Sequence, residues 1–410
     1  MEVIMNKINI TKRNKCRICG SENLKKWITL EDMPLTDNIK YEELDSEFLD
    51  NIDIHVCMEC FTSQTLTDIS YNEYYNDYNY SVNQSQTANK FMDRLCNKLC
   101  EEYKFKNGCT ILEIGSSDGS QLKYFKDKGA EVFGIEPSKE LCDISKAKGV
   151  PVYHGLFDEN IINKIPIDFT KVDLVILEYT FDHLPEPMSV LKNIKTILNK
   201  EGLVVIEVHD LEKILKRKEY CLFEHEHTIY LSKETIKYIL AREGFEVIDF
   251  NLLEESEKRA NSLLVVAKLK CEKEELAIWN KHSIHNFSIY ENFKIELNLS
   301  MKKLNQFIND NINSGKRIAG FGAGGRGVMT LAAINCGNKI SFICDNNTMM
   351  KGLYTPKTHI KIVDPVYLKE DPVDVLIVFS FGYIEEIKKQ IKAITNKKIK
   401  VVNLLDILKI

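Results

Sequence analysis

Cys16 and Cys19 form one C-x-x-C pair, and Cys57 and Cys60 form a second, after a gap of roughly forty residues. The two-residue spacing lets the backbone turn and aim both sulfurs at one point, so four thiolates can close a tetrahedron around Zn2+. With sulfur at all four positions no coordination position stays open, and the metal is expected to hold the fold rather than perform chemistry. Gly20 suits a tight turn after the first pair, whereas Phe61 and Thr62 are expected to begin a strand after the second. A redox role for one pair is the other reading, but nothing around either resembles a thioredoxin active site. The chain has 12 cysteines, and residues 1–15 alternate apolar and charged side chains without the pattern of an export signal. Thiols and metal ligation are therefore expected rather than disulfides.

With 410 residues, 44% hydrophobic and 28% charged, the chain can bury two or three domain cores and is not intrinsically disordered. Its 55 Lys and Arg against 60 Asp and Glu give a formal charge of −5, which offers no cationic field for nucleic acid. No segment approaches the roughly 20 apolar residues that span a bilayer. Neither a nucleic-acid nor a membrane partner is expected, and the expected location is cytoplasmic.

Helical periodicity from about Ala88 to Tyr103 precedes the strand-like run Thr110–Ile114, which breaks into Gly115-Ser-Ser-Asp118-Gly119 and then a second helical pattern. Ala130–Glu136 reads as a second strand ending in an acid, about 20 residues beyond the glycine turn, where a carboxylate can grip both ribose hydroxyls of a nucleoside cofactor. Val172–Glu178 and Gly202–Glu207 read as buried strands, and Tyr179–Pro185, containing Asp182 and His183, follows the first of them. In open α/β sheets ligands sit at such strand ends. The turn lacks the G-x-G-x-x-G spacing of a nicotinamide site, because Ser116 and Ser117 fill its middle. Glu113, Gly115, Asp118, Gly119 and Glu136 together resemble the S-adenosylmethionine site of class I methyltransferases. Ser116 and Glu178 complete the candidate cofactor set.

A long helical pattern from about Tyr290 to Asn313 leads to a second strand, glycine turn and helix, where Gly320, Gly322 and Gly325 do match G-x-G-x-x-G. Ile340–Asp345 then ends in an acid and Val373–Phe379 adds a further strand, so a second α/β unit is predicted and NAD stays open as its ligand. Two more segments stand out. The tyrosine-rich stretch Tyr71–Ser81 suits a lid or a surface linker. The run Phe223-Glu224-His225-Glu226-His227-Thr-Ile-Tyr230 could ligate a metal, form a proton-transfer pair, or make one exposed strand edge. Metal is the weaker reading, since the spacing is not that of H-E-x-x-H.

Taken together, these features resemble the sugar C-methyltransferases that act on nucleotide-linked ketosugars in deoxysugar biosynthesis. The resemblance follows the chain in order: the paired C-x-x-C module with Met33-Pro-Leu-Thr-Asp-Asn38 between the pairs, Tyr78-Asn-Tyr80-Ser81, the glycine turn, Glu226-His227, and a final block. That block comprises Gly320-Phe-Gly-Ala323, Lys351-Gly-Leu-Tyr-Thr-Pro356 and Thr358-His359-Ile-Lys-Ile362. The resemblance implies a class I Rossmann-like methyltransferase domain (81–270) flanked by a small zinc-binding module (1–80) and a C-terminal Rossmann-like α/β domain (271–410). It implies S-adenosylmethionine and structural Zn2+ as cofactors, and a dTDP-, GDP- or CDP-linked sugar between the middle and last domains of a monomer or small homo-oligomer. A last domain that holds no dinucleotide lowers the case for NAD.

By the same resemblance His227 matches the base that would remove a proton beside a ketone, with Glu226 next to it, and the resulting enolate would attack the sulfonium methyl. Glu224, His225, Tyr78 and Tyr80 complete the candidate catalytic set. Tyr78, Tyr80, His183, Gly322, Ala323, Arg326, Lys351, Tyr354 and His359 are the candidate substrate-binding residues. The chain departs from the family at Glu224, where a Tyr is common, at Arg259-Ala-Asn261-Ser262, where the family usually reads His-Gly-Gly-Ser, and at the glycine-rich Ala323-Gly-Gly-Arg326. An amine or hydroxyl acceptor, for O- or N-methylation, and a nicotinamide oxidoreductase are the alternatives.

Overall fold

The computed structural model describes residues 9–36, 39, 47–70, 74, 86–105, 107–270 and 286–409. Tyr78 and Tyr80 lie outside them. Five strands come first, β1 (Ile10–Lys12), β2 (Leu24–Pro34), β3 (Leu49–Cys57), β4 (Ser63–Thr65) and β5 (Thr67–Ile69). By its contacts the chain divides into two units. The first comprises Met1–Lys25, His55–Leu211 and Glu226–His285, and the second Lys26–Ile54, Glu212–His225 and Asn286–Ile410.

The first unit is built on β6 (Thr110–Ile114), β7 (Glu131–Glu136), β8 (Val152–His154), β9 (Val172–Glu178), β10 (Leu198–Val208), β12 (Phe245–Asp249) and β13 (Leu263–Leu269), with the short β11 (Ile229–Tyr230) outside the sheet. Their order is β12-β13-β10-β9-β6-β7-β8. β13 runs antiparallel to β10 and β12, while β10, β9, β6, β7 and β8 are parallel to one another. Leu174 to Leu177 and Val204 to Ile206 are fully buried, the continuous apolar run expected of strands covered on both faces. The cover is helical: Ser138 caps the helix Lys139–Ala147 and a Ser232/Thr235 capping box starts Lys233–Arg242. Outside this sheet β1 pairs with β5 and β4 with β11, both antiparallel.

The second unit holds a five-stranded parallel sheet in the order β16-β15-β14-β17-β18, from β14 (Ile318–Phe321), β15 (Ile343–Cys344), β16 (Ile362–Val363), β17 (Val375–Val378) and β18 (Lys400–Asn403). The helix Ser288–Asn313 buries Tyr290, Phe293, Leu297, Ser300, Leu304 and Ile308, a stripe at three- and four-residue spacing. Its start packs on Trp27, whose ring lies 4.8 Å from that of Tyr290, 5.5 Å from Phe293 and 5.6 Å from Phe223. Two α/β units thus form, as the two glycine turns imply. Among the described residues no helix is long and apolar enough to cross a membrane.

Candidate active site and metal centre

The metal centre is made by two matching turns. The N–H of Gly20 returns to the Cys16 carbonyl at 3.0 Å and that of Phe61 to the Cys57 carbonyl at 2.8 Å, and both residues have left-handed φ, 77° and 55°. Phe61 therefore closes a knuckle instead of opening a strand, and β4 begins only at Ser63. The sulfurs of Cys16 and Cys60, and of Cys19 and Cys57, are 3.5 Å apart, and all four lie within 4.8 Å of one another. A tetrahedron with Zn–S near 2.3 Å requires about 3.8 Å between sulfurs, so the set fits the metal. Gln64 Nε2 donates to the Cys16 sulfur at 3.0 Å and the Ile18 N–H at 3.4 Å, the outer hydrogen bonds a zinc thiolate takes.

At the carboxyl ends of β10, β9, β6 and β7 stand Glu207, Glu178, Glu113 and Glu136. Glu136 is 4% exposed, and its two oxygens accept the N–H groups of Ser117 and Ser138, each at 2.8 Å. Ser117 has φ 48°, so this carboxylate pins a left-handed residue in the glycine turn. Burial pushes Glu136 up to about 7 although the two donors act the other way. Burial also raises Glu178 to about 7, against the pull of Arg259. Glu113 is raised well above its ordinary range, by desolvation first and by Glu178 next.

A cavity of about 500 Å³ opens over this edge. Gly115, Ser117, Glu136, Glu178, Tyr179, Thr180, His183 and Arg259 are among its lining. A Cβ at Gly115 would come 2.3 Å from Thr180 Oγ1, so the turn must be bare there. Of the candidate cofactor residues, Gly115, Glu136 and Glu178 line the cavity, and Glu113, Ser116, Asp118 and Gly119 do not. Asp118, 1% exposed, instead pairs with Lys148 at 3.0 Å and accepts the Ser120 N–H at 3.1 Å. Buried oxygens of Glu113, Glu178, Ser116 and Ser117 have no hydrogen-bond partner. A space of this size, with the second lone pairs of Glu136 still available, fits S-adenosylmethionine, whose ribose hydroxyls the carboxylate would accept.

Beside the cavity lies an imidazole cluster. The His183 ring is 4.6 Å from that of His227, which is 4.7 Å from that of His209, and His209 lies 4.5 Å from the Tyr179 ring. Asp182 Oδ2 accepts from His209 Nδ1 at 2.9 Å and from the His209 N–H at 3.2 Å. Desolvation first, and His227 next, push His183 down to about 4. Asp182, His209 and His227 each bring a ligating atom within 4.8 Å of the others, but Oδ2 and Nδ1 are already engaged with each other. Sequence reasoning missed His209, because its partner Asp182 lies 27 positions away.

The run at 223–230 is buried throughout, so the exposed strand edge is excluded. Glu226 and His227 belong to the first unit, Glu224 and His225 to the second. His225 Nε2 is 2.9 Å from the Met33 carbonyl, and its ring packs on Phe48. The Glu224 carboxylate lies over the second glycine turn, where a Cβ on Gly325 would be 2.8 Å from Oε1. In that turn Asp345 accepts the Ala323 and Asn347 N–H groups at 2.7 and 2.8 Å, one on each oxygen, as Glu136 does in the first turn. Arg326 lies over the Phe381 ring, His359 Nε2 meets Glu47 at 2.9 Å, Tyr354 bridges to Lys361, and Lys351 is exposed. Gly322 and Ala323 are buried in the turn.

Three family models match the chain in order: "Putative zinc binding domain" over residues 16–75, "Methyltransferase domain" over 84–249, and "C-methyltransferase C-terminal domain" over 257–405. The chain is 24% identical over 385 residues to C-methyltransferase NovU of Streptomyces niveus, covering 91% of each. It is 36% identical over 103 residues to an uncharacterized methyltransferase of Alkaliphilus oremlandii, covering 25% of this chain and 45% of that one. A solved Pyrococcus horikoshii protein superposes with a TM-score of 0.38 at 19% identity, over 49% of this chain and all of that one, 100%. The parallel sheet with its glycine turn and the cavity at its edge make the protein a class I S-adenosylmethionine-dependent methyltransferase with a structural zinc module. All three domains occur in the order that the sequence resemblance implies, and the last of them matches the C-terminal domain of C-methyltransferases.

Proposed function

We propose that the protein methylates a carbon beside the ketone of a nucleotide-linked sugar, with His227 as the base. The observation that carries this reading is the contact of the His227 ring with His183, a residue of the cavity wall. An imidazole beside the cofactor cavity can serve as a general base. The bound cofactor would supply an electrophilic methyl on a sulfonium. His227 would break the C–H bond, its electron pair would pass into the enolate, and Glu226 would orient or polarise the ring. Tyr179 and His183 would hold the acceptor against water. Carbon as the acceptor atom, and the sugar itself, rest on the similarity to NovU and on the C-terminal domain family. The limits 1–80, 81–270 and 271–410, a cytoplasmic location and a monomer or small homo-oligomer belong to the same reading.

Incubation with labelled S-adenosylmethionine and a panel of dTDP-, GDP- and CDP-linked ketosugars tests it. Methyl gain, together with exchange of the α proton into solvent, is expected. Methylation of an amino or hydroxy sugar, with no keto compound exchanging, would replace carbon by nitrogen or oxygen as the acceptor.

A further inference from the structure

Transfer of a methyl from a sulfonium to a neutral acceptor releases one proton per turnover, and that proton needs a route out. His227 is 4% exposed, and His183, held at about 4 by burial and by His227, does not keep a proton at neutral pH. The His209 side chain is 15% exposed and touches both His227 and Asp182. A carboxylate only accepts, so Nδ1 of His209 carries the hydrogen it shares with Asp182 Oδ2, and the neutral ring presents Nε2 as a base. Asp182 is 2% exposed, and its carboxyl is held below the ordinary range by His209 although burial works the other way. It is thus an anion set behind an imidazole, the arrangement that stabilises an imidazolium. Tyr179 packs on His209; His183, His227 and Glu207 act on Asp182 electrostatically; Glu226 acts on His183; and Asp210 follows His209 in the chain.

We propose that Asp182 and His209 are the proton exit of the active site. The substrate's proton goes first to His227. It then moves to Nε2 of His209, returning His227 to neutral, and leaves the His209 imidazolium for water, so one proton enters and one departs. His209 acts through His227 and is a positioning residue rather than a catalytic one. The idea rests on His227 being the base.

The test uses the full-length protein, S-adenosylmethionine, and whichever acceptor of the sugar panel the wild type methylates. D182N and H209Q are expected to lower kcat by roughly 10²-fold or more, with KM for the cofactor within about threefold. The acidic limb of kcat in D182N should move to lower pH, because an imidazole that must be neutral loses the anion behind it, and D182E should recover part of the rate. In protein carrying nitrogen-15 histidine, the Nδ1–H resonance of His209 should vanish in D182N, and its persistence would overturn the pair. Wild-type kcat and an unmoved limb in D182N and H209Q, with H227N dead, would discard the exit and leave the base in place. An active H227N would remove the base and the exit together. A second zinc per chain that H209Q removes would make the cluster a metal site and also overturn the proposal.

Discussion

Glu178 and Glu207 face each other in register on the parallel strands β9 and β10, and one guanidinium, that of Arg259, serves both. Arg259 forms its closer contact with Glu178, lies 3.1 Å from Glu207, and stacks over the rings of Phe91 and Tyr179. It stands where the sequence resemblance implies the first residue of a His-Gly-Gly-Ser loop, and its side chain is 18% exposed.

R259A should therefore lower stability by about 3–5 kcal/mol, because two buried carboxylates lose their partner. Glu178 is at about 7 in the fold against an ordinary 4.5. A carboxyl raised on folding binds its proton more tightly in the folded chain, so its contribution falls as pH climbs from about 4.5 through about 7. The deficit of R259A should grow between about pH 5 and about pH 8, read by urea unfolding at both. Equal losses would mean that Arg259 does not set the protonation of Glu178.

Glu136 is predicted to gate cofactor affinity. E136Q should bind S-adenosylhomocysteine at least about tenfold more weakly in calorimetric titration, since an amide accepts only at its one oxygen and its NH2 group donates. Because Glu136 itself stands at about 7, wild-type affinity should tighten as pH rises through that value, and the E136Q curve should be flat. A parallel pH dependence in both proteins would assign the titration to another group.

Metal analysis should find one zinc per chain. Removing it with a strong chelator, or substituting C57S, leaves sulfurs crowded at 3.5 Å with no ion between them, and folding of the two knuckles is coupled to metal binding. Circular dichroism melting should drop in both cases and recover on adding zinc only to the chelated wild type.

Gly325 and Glu224 should show coupling. In G325A the new methyl would meet Glu224 Oε1 at 2.8 Å, and Glu224 is 7% exposed and cannot swing freely. A loss of about 1–3 kcal/mol is expected. In an E224A background it should shrink by at least about 0.5 kcal/mol. Strict additivity in the double-mutant cycle would show that the carboxylate moves away without cost.

Local patterns were legible because they act over a few residues. The C-x-x-C spacing, the bare turn at Gly115 and the apolar runs of Leu174 to Leu177 each carry their reason within one element. The second knuckle was half legible: both cysteines were read, but the left-handed Phe61 was hidden, because a glycine would have signalled the turn and a phenylalanine signals a strand. Asp118 reads as a cofactor acid from its place after a glycine turn, and only the fold brings Lys148 to it at 3.0 Å.

From its own residues the chain determined two parallel α/β units, a four-sulfur centre and an acid at the tip of the second strand of the first unit, all of which follow from short-range periodicity and spacing. The tertiary structure decided which polar groups meet: Arg259 with Glu178 and Glu207, His209 with Asp182, and Glu224 with Gly325. The reason is that these partners lie 27 to 101 positions apart, and a pairing at that separation is set by the order of strands in a sheet, which no local pattern encodes.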